Sequence, residues 1–106
     1  MLKSALESAP VVSELDTTFR KSVVVSNRLG LHARPAAMLI QKLQPFRSKV
    51  FVECGGERVN AKSILGLLSL AARKGSELTF TATGPDCMEA LAAVEGLFRS
   101  ELTKID

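Results

Sequence analysis

"SKVFVECGGERVNA", residues 48–61, is the stretch that decides how this chain folds. Two short runs, "SKVFVEC" and "ERVNA", flank Gly55-Gly56, a dipeptide that supplies the positive φ angles of a tight hairpin without steric cost. Two antiparallel strands therefore sit at the middle of the chain. Upstream, "ARPAAMLIQKLQ" (33–44) places Ala36, Ile40 and Leu43 at helical spacing and meets Pro45, a helix stop. Before it, "FRKSVVVSN" (19–27) sets Phe19, Val23 and Val25 on one face at a period of two, the pattern of a strand. Downstream, "SILGLLSLAARKG" (63–75) predicts a second helix closed by Arg73, Lys74 and Gly75. "ELTFTAT" (77–83) alternates as a fourth strand, and Gly84-Pro85-Asp86 opens a third helix with Leu91, Val94 and Phe98 on one face. The order is βαββαβα. Two helices and one hairpin joining four strands give an α+β fold, one antiparallel sheet with its helices layered on a single face.

Composition bounds what such a domain does. The 106 residues suffice for one core, and 46% hydrophobic with 24% charged residues is a globular balance. With five Phe and neither Tyr nor Trp, the core must be mostly aliphatic. The longest apolar run, "ILGLLSLAA", falls far short of the ~20 residues of a membrane span, so no membrane insertion is expected. The opening "MLKSALESAPVVSELDT" lacks the apolar core and cleavage site of a secretory signal, which predicts a cytoplasmic protein. Residues 1–18 read as a loosely ordered extension, and 19–106 as the domain. Cys54 and Cys87 form no C-x-x-C and are expected as buried thiols rather than a disulfide or a zinc site. The net charge of +3 comes from basic residues in pairs at most, with no Tyr or Trp platform for bases. Nucleic acid is not expected; an acidic protein partner or a single phosphate suits that balance.

His32 is the only histidine. It stands in "NRLGLHARPAAM" (27–38), with Pro35 marking the first turn of the first helix, where a missing N–H costs nothing. A lone histidine can be a helix cap, a packed core residue, a metal ligand or a catalytic group. No second histidine or ligand cluster accompanies it, so no metal is expected, and no local Ser or Cys pairs with it as in a hydrolase. At a helix start, however, the backbone amides of Ala33 and Arg34 and the positive dipole end form a seat for an anion. Arg34 adds a guanidinium able to hold phosphate oxygens through more than one hydrogen bond, and Gly30 lets the chain turn and gives a partner close access. An imidazole beside such a seat is suited to accept a phosphoryl group on nitrogen. The second helix points to a partner as well. Ile64, Leu65, Leu67, Leu68, Leu70, Ala71 and Ala72 surround its axis in a domain too small to cover all of them. Either close packing or the extension covers the surplus, or an exposed apolar patch marks a docking surface.

"LGLHARPAA" followed about thirty residues later by "AKSILGLLSLAARKGSELTFTATG" resembles the HPr family, histidine-containing phosphocarriers of the bacterial phosphoenolpyruvate-dependent phosphotransferase system. The resemblance runs from about residue 19 to 104 and implies an open-faced β-sandwich, four antiparallel strands with three helices on one side. It implies that His32 takes phosphate from enzyme I and passes it to a IIA-type domain, assisted by Arg34, with no cofactor and with the chain acting as a monomer carrier rather than as an enzyme. A regulatory protein–protein adaptor on the same fold is the alternative. Leu29 stands where many sugar-branch members carry Ser or Asn, and "NRLGLHARPA" resembles the nitrogen-related branch while "AKSILGLLSL" keeps the Lys-Ser pair of the sugar branch. Ser63, after Lys62, matches a serine that a dedicated kinase phosphorylates in some bacteria; by itself it also reads as a capping serine. Docking is expected on Ile64, Leu65 and Leu68, ringed by Arg34, Lys62, Arg28 and Arg58.

Overall fold

The computed structural model describes residues 17–105. The central hairpin forms as its glycines require: β2 (Lys49–Cys54) turns through Gly55 and Gly56, at φ 58 and 85, into β3 (Glu57–Asn60). β1 (Thr18–Val24), the helix α1 (Ala33–Leu43), the helix α2 (Ile64–Ser69), β4 (Glu77–Thr83) and the helix α3 (Cys87–Gly96) complete the βαββαβα order. The four strands are antiparallel in the order β1-β4-β2-β3, so the first and last strands of the sequence pair at one side and the hairpin lies at the other.

Strand alternation separates the faces. Val50 and Val52 of β2 and Leu78, Phe80 and Ala82 of β4 point inward and are buried. The helices cover that face with Ala36, Leu39 and Leu43 from α1, Leu67 from α2, and Ala90, Leu91 and Val94 from α3. Phe98 meets Phe80 at 5.8 Å between ring centroids, a tilted aromatic contact inside an otherwise aliphatic core. The opposite face is open: Phe51 and Glu53 of β2 sit there with Asn60 and Arg58 of β3 in register. At the sheet edge, β1 buries little. Phe19 is 42% exposed, and Lys21, on the helix-covered face opposite Phe80, reaches Glu95 of α3 at 3.1 Å.

Several expectations need correction. The second helix does not run to Gly75. It stops at Ser69 because Ala71 turns into the left-handed region at φ 50, the one non-glycine residue with positive φ among those described. The third helix passes from α3 into a π-helical turn (Leu97–Glu101) and a short 3-10 turn (Leu102–Lys104), and these carry Phe98 and Leu102 into the core. Cys87 is buried but Cys54 is half-buried, and both thiols are free. β1 begins at Thr18, one residue before the expected domain start. Of the extension, residues 1–16 lie outside the described residues. Among the described residues no helix is long and apolar enough to cross a membrane.

Candidate functional site

The turn before α1 is built from short-range bonds and one long-range contact. Gly30 donates its N–H to the Asn27 carbonyl (3.1 Å), and the Gly30 carbonyl accepts from the N–H of His32 (3.0 Å) and from Nδ2 of buried Asn27 (2.5 Å). Leu31 donates its N–H to the carbonyl of Ala72 (2.9 Å), which ties the turn to the segment leaving α2. Gly30 is required here on two counts. Its φ is +74, and a Cβ would stand 2.3 Å from the Ala72 carbonyl oxygen. Asn27 escaped the sequence reading; an Asx residue three places before a glycine is the signal that could have found it.

His32 is the residue at which this turn becomes helix. Its backbone is extended (φ −94, ψ −169), its carbonyl accepts from the N–H of Ala36 at 3.0 Å, and its side chain does not cap α1. The imidazole is half-buried. Both facts count against the capping and packed-core readings. The amides of Ala33 and Arg34 precede the first intrahelical donor, Ala36, and Pro35 has no N–H, so the first turn offers two backbone donors at the positive end of the dipole. Arg34 is exposed beside them. A half-buried nucleophilic nitrogen, two amides and a guanidinium within three consecutive residues can bind an anion and take up a transferred group. No cluster of three or more His, Cys, Asp or Glu that could hold a metal exists among the described residues.

The apolar surplus of α2 divides as a short helix on a sheet must. Leu67 is fully buried, whereas Ile64, Leu65 and Leu68 are 39%, 76% and 38% exposed. Ser63 caps the helix, its Oγ accepting from the N–H of Gly66 at 3.1 Å. The basic rim differs from the expected one. Lys62 is half-buried and donates its ammonium to the carbonyls of Phe46 (2.7 Å) and Ser48 (3.0 Å). Arg58 lies on the open sheet face, 4.4 Å over the Phe51 ring and 3.9 Å from Glu53. Arg28 and Arg34 remain as exposed basic residues flanking His32, joined by Arg73, whose Cα adjoins Gly30.

A second polar cluster joins the α1–β2 loop to the start of α3. The Asp86 carboxylate accepts from the amides of Arg47 and Ser48 (both 2.9 Å) and from the Ser48 hydroxyl (2.5 Å). Burial alone would raise its pKa, but these donors outweigh it and hold the group at about 2, from an ordinary 3.8. Lys62, between β3 and α2, donates to carbonyls of the same loop.

Comparison with known proteins bears on the family and the fold. The phosphocarrier protein HPr of Treponema pallidum is 48% identical over 81 residues, 76% of this chain and 92% of that protein. The crystal structure of the phosphocarrier protein HPr of Bacillus anthracis superposes with a TM-score of 0.74 at 43% identity, covering 78% of this chain and 99% of that one. A crystal structure of the Bacillus subtilis catabolite repression protein Crh, described as a swapped dimer, matches with a TM-score of 0.63 at 47% identity over 74% of this chain and 91% of that one. Since residues 19–100 also match the family described as the PTS HPr component phosphorylation site, the chain belongs to the HPr family of phosphocarrier proteins.

Proposed function

We propose that this protein carries a phosphoryl group on His32, taken from phospho-enzyme I and delivered to a IIA-type domain of the phosphotransferase system. The observation that carries the reading is His32 itself, half-buried at the start of α1 without capping it, beside the first-turn amides and Arg34. A lone pair on an imidazole nitrogen attacks phosphorus as the bond to the donor breaks, and the donor leaves with that electron pair. The amides of Ala33 and Arg34 and the guanidinium of Arg34 meet the charge on the phosphoryl oxygens. Onward transfer reverses these events. The protein is loaded and unloaded once per cycle and is not an enzyme in its own right.

Donor and acceptor use one docking surface, Ile64, Leu65 and Leu68, with apolar contacts at the centre and Arg28 and Arg34 meeting acidic groups at the rim. Lys62 contributes to this surface indirectly, by tying the start of α2 to the α1–β2 loop. Ser63 is read as a regulatory phosphorylation site for an HPr serine kinase/phosphatase. The protein is read as a cytoplasmic monomer; sedimentation that depends on concentration would reject the monomer, in line with the dimer described for Crh.

Incubation with phosphoenolpyruvate and enzyme I, followed by intact mass, tests the reading. One acid-labile phosphoryl group is expected, absent from His32→Ala. A regulatory adaptor is the second reading, favoured by the likeness to Crh, a catabolite repression protein. Its signature is a wild-type protein that gains no mass, and that result removes the carrier reading.

A further inference from the structure

The turn that presents His32 is held by a side chain five residues before the histidine. Asn27 is 4% exposed, and its Nδ2 donates to the Gly30 carbonyl at 2.5 Å, while its own carbonyl accepts from the N–H of Gly30 at 3.1 Å. Asn27 therefore grips the Gly30 residue at both its amide and its carbonyl. That same Gly30 carbonyl accepts the N–H of His32 at 3.0 Å. The direction of the Gly30 carbonyl sets where the His32 amide points, and the His32 backbone sets both the imidazole and the amides that follow it.

We propose that Asn27 is a positioning residue for phosphoryl transfer, acting through the Gly30 carbonyl to hold His32 in register with the amides of Ala33 and Arg34. The inference rests on the carrier function proposed above and assigns Asn27 no contact with phosphate. The chemistry demands an amide at this place, because one group must donate to Gly30 through its side chain while remaining neutral in a buried turn. A carboxylate of the same size accepts but does not donate. It would set a negative oxygen against the Gly30 carbonyl and let the turn open. Docking would be little affected, because its apolar centre, Ile64, Leu65 and Leu68, lies on α2, and Arg28 and Arg34 are exposed rim charges whose small shifts cost little. A misplaced nucleophile beside an intact docking surface lowers the rate of transfer within the complex and leaves its formation alone.

The test is Asn27→Asp in the full chain, assayed for phosphoryl transfer from phospho-enzyme I at pH 8 and pH 6. Expected are a fall in kcat of about tenfold or more at pH 8, a KM within about twofold of wild type, and partial recovery of kcat relative to wild type at pH 6, because burial against the Gly30 carbonyl pushes the introduced carboxyl well above the usual carboxylate range and its protonated form again donates. A kcat equal to that of wild type at both values, or a loss confined to KM, overturns the role of Asn27 while leaving the carrier function intact. A wild-type protein that takes up no phosphoryl group overturns both. The wild-type protein supplies a test that needs no variant, since the chain contains only two asparagines, Asn27 and exposed Asn60. The side-chain amide protons of Asn27 should exchange with solvent at least tenfold more slowly than those of Asn60, and equal rates would overturn the proposal.

Discussion

Replacing Ala71 with glycine should make this protein more stable, against the usual cost of glycine. Ala71 holds φ 50 where the chain leaves α2. An L-residue in the left-handed region costs about 1–2 kcal/mol relative to its preferred conformations, and glycine escapes that cost. Against the gain stands the larger backbone entropy that glycine brings to the unfolded chain, about 0.5–1 kcal/mol. The Ala71 side chain is exposed, so no burial is lost with its methyl group. The net effect of Ala71→Gly is a stabilisation of about 0.5–1 kcal/mol, or roughly 2–8 °C in Tm for a domain of this size. Urea denaturation should show a higher midpoint with an unchanged slope, and phosphoryl transfer should be unaltered because the carbonyl of Ala72 still receives Leu31 at 2.9 Å. The mirror experiment lies across that same contact. In Gly30→Ala, a Cβ 2.3 Å from the Ala72 oxygen and a φ of +74 act together. Strain of about 1–2 kcal/mol and loss of the Leu31 hydrogen bond, about 1 kcal/mol, predict a destabilisation of about 2–3 kcal/mol together with impaired transfer. A midpoint for Ala71→Gly at or below that of wild type would refute the strain assigned to Ala71.

Acid should weaken the fold through Asp86, whose folded pKa of about 2 lies below the ordinary 3.8. A depressed carboxylate stabilises above its unfolded pKa and loses that contribution as pH falls from about 4 to 2. Discounted for solvent around a half-buried group, this amounts to roughly 1 kcal/mol, and the Asp86→Ala variant should lack that part of the acid sensitivity in urea midpoints measured across pH 5 to 2. Leu68→Glu changes a side chain that is 38% exposed, so Tm should hold within a few degrees while transfer at limiting carrier falls about tenfold or more from both enzyme I and to its acceptor; unchanged rates would reject α2 as the docking element. Ser63→Asp keeps an acceptor for the N–H of Gly66 and should keep its Tm, whereas transfer from enzyme I should drop because the new charge opposes acidic partners. A variant transferring as fast as wild type would remove the electrostatic switch.

What the sequence determined by itself was local. The hairpin at Gly55-Gly56 needs positive φ at two adjacent residues, the strand and helix periods are written in consecutive side chains, and Pro35 marks a helix start just after His32. Those signals suffice for the βαββαβα order, for the histidine at a helix start, and for an exposed apolar surplus on α2, later seen at Ile64, Leu65 and Leu68. Tertiary structure alone decided what depends on distant backbone. The strand order β1-β4-β2-β3 joins the first strand to the last, which no local period specifies. The second helix ends early where Ala71 takes φ 50, and just beyond it the Ala72 carbonyl meets Leu31, a partner some forty residues away in sequence at 2.9 Å in space. Lys62 looks from the sequence like a free rim charge, but the loop carbonyls of Phe46 and Ser48 come within its reach and satisfy it there. Asp86 and Ser48 bond across a separation of 38 residues for the same reason. A buried donor or acceptor takes whichever partner packing brings near, and that partner is fixed by the fold rather than by its neighbours along the chain.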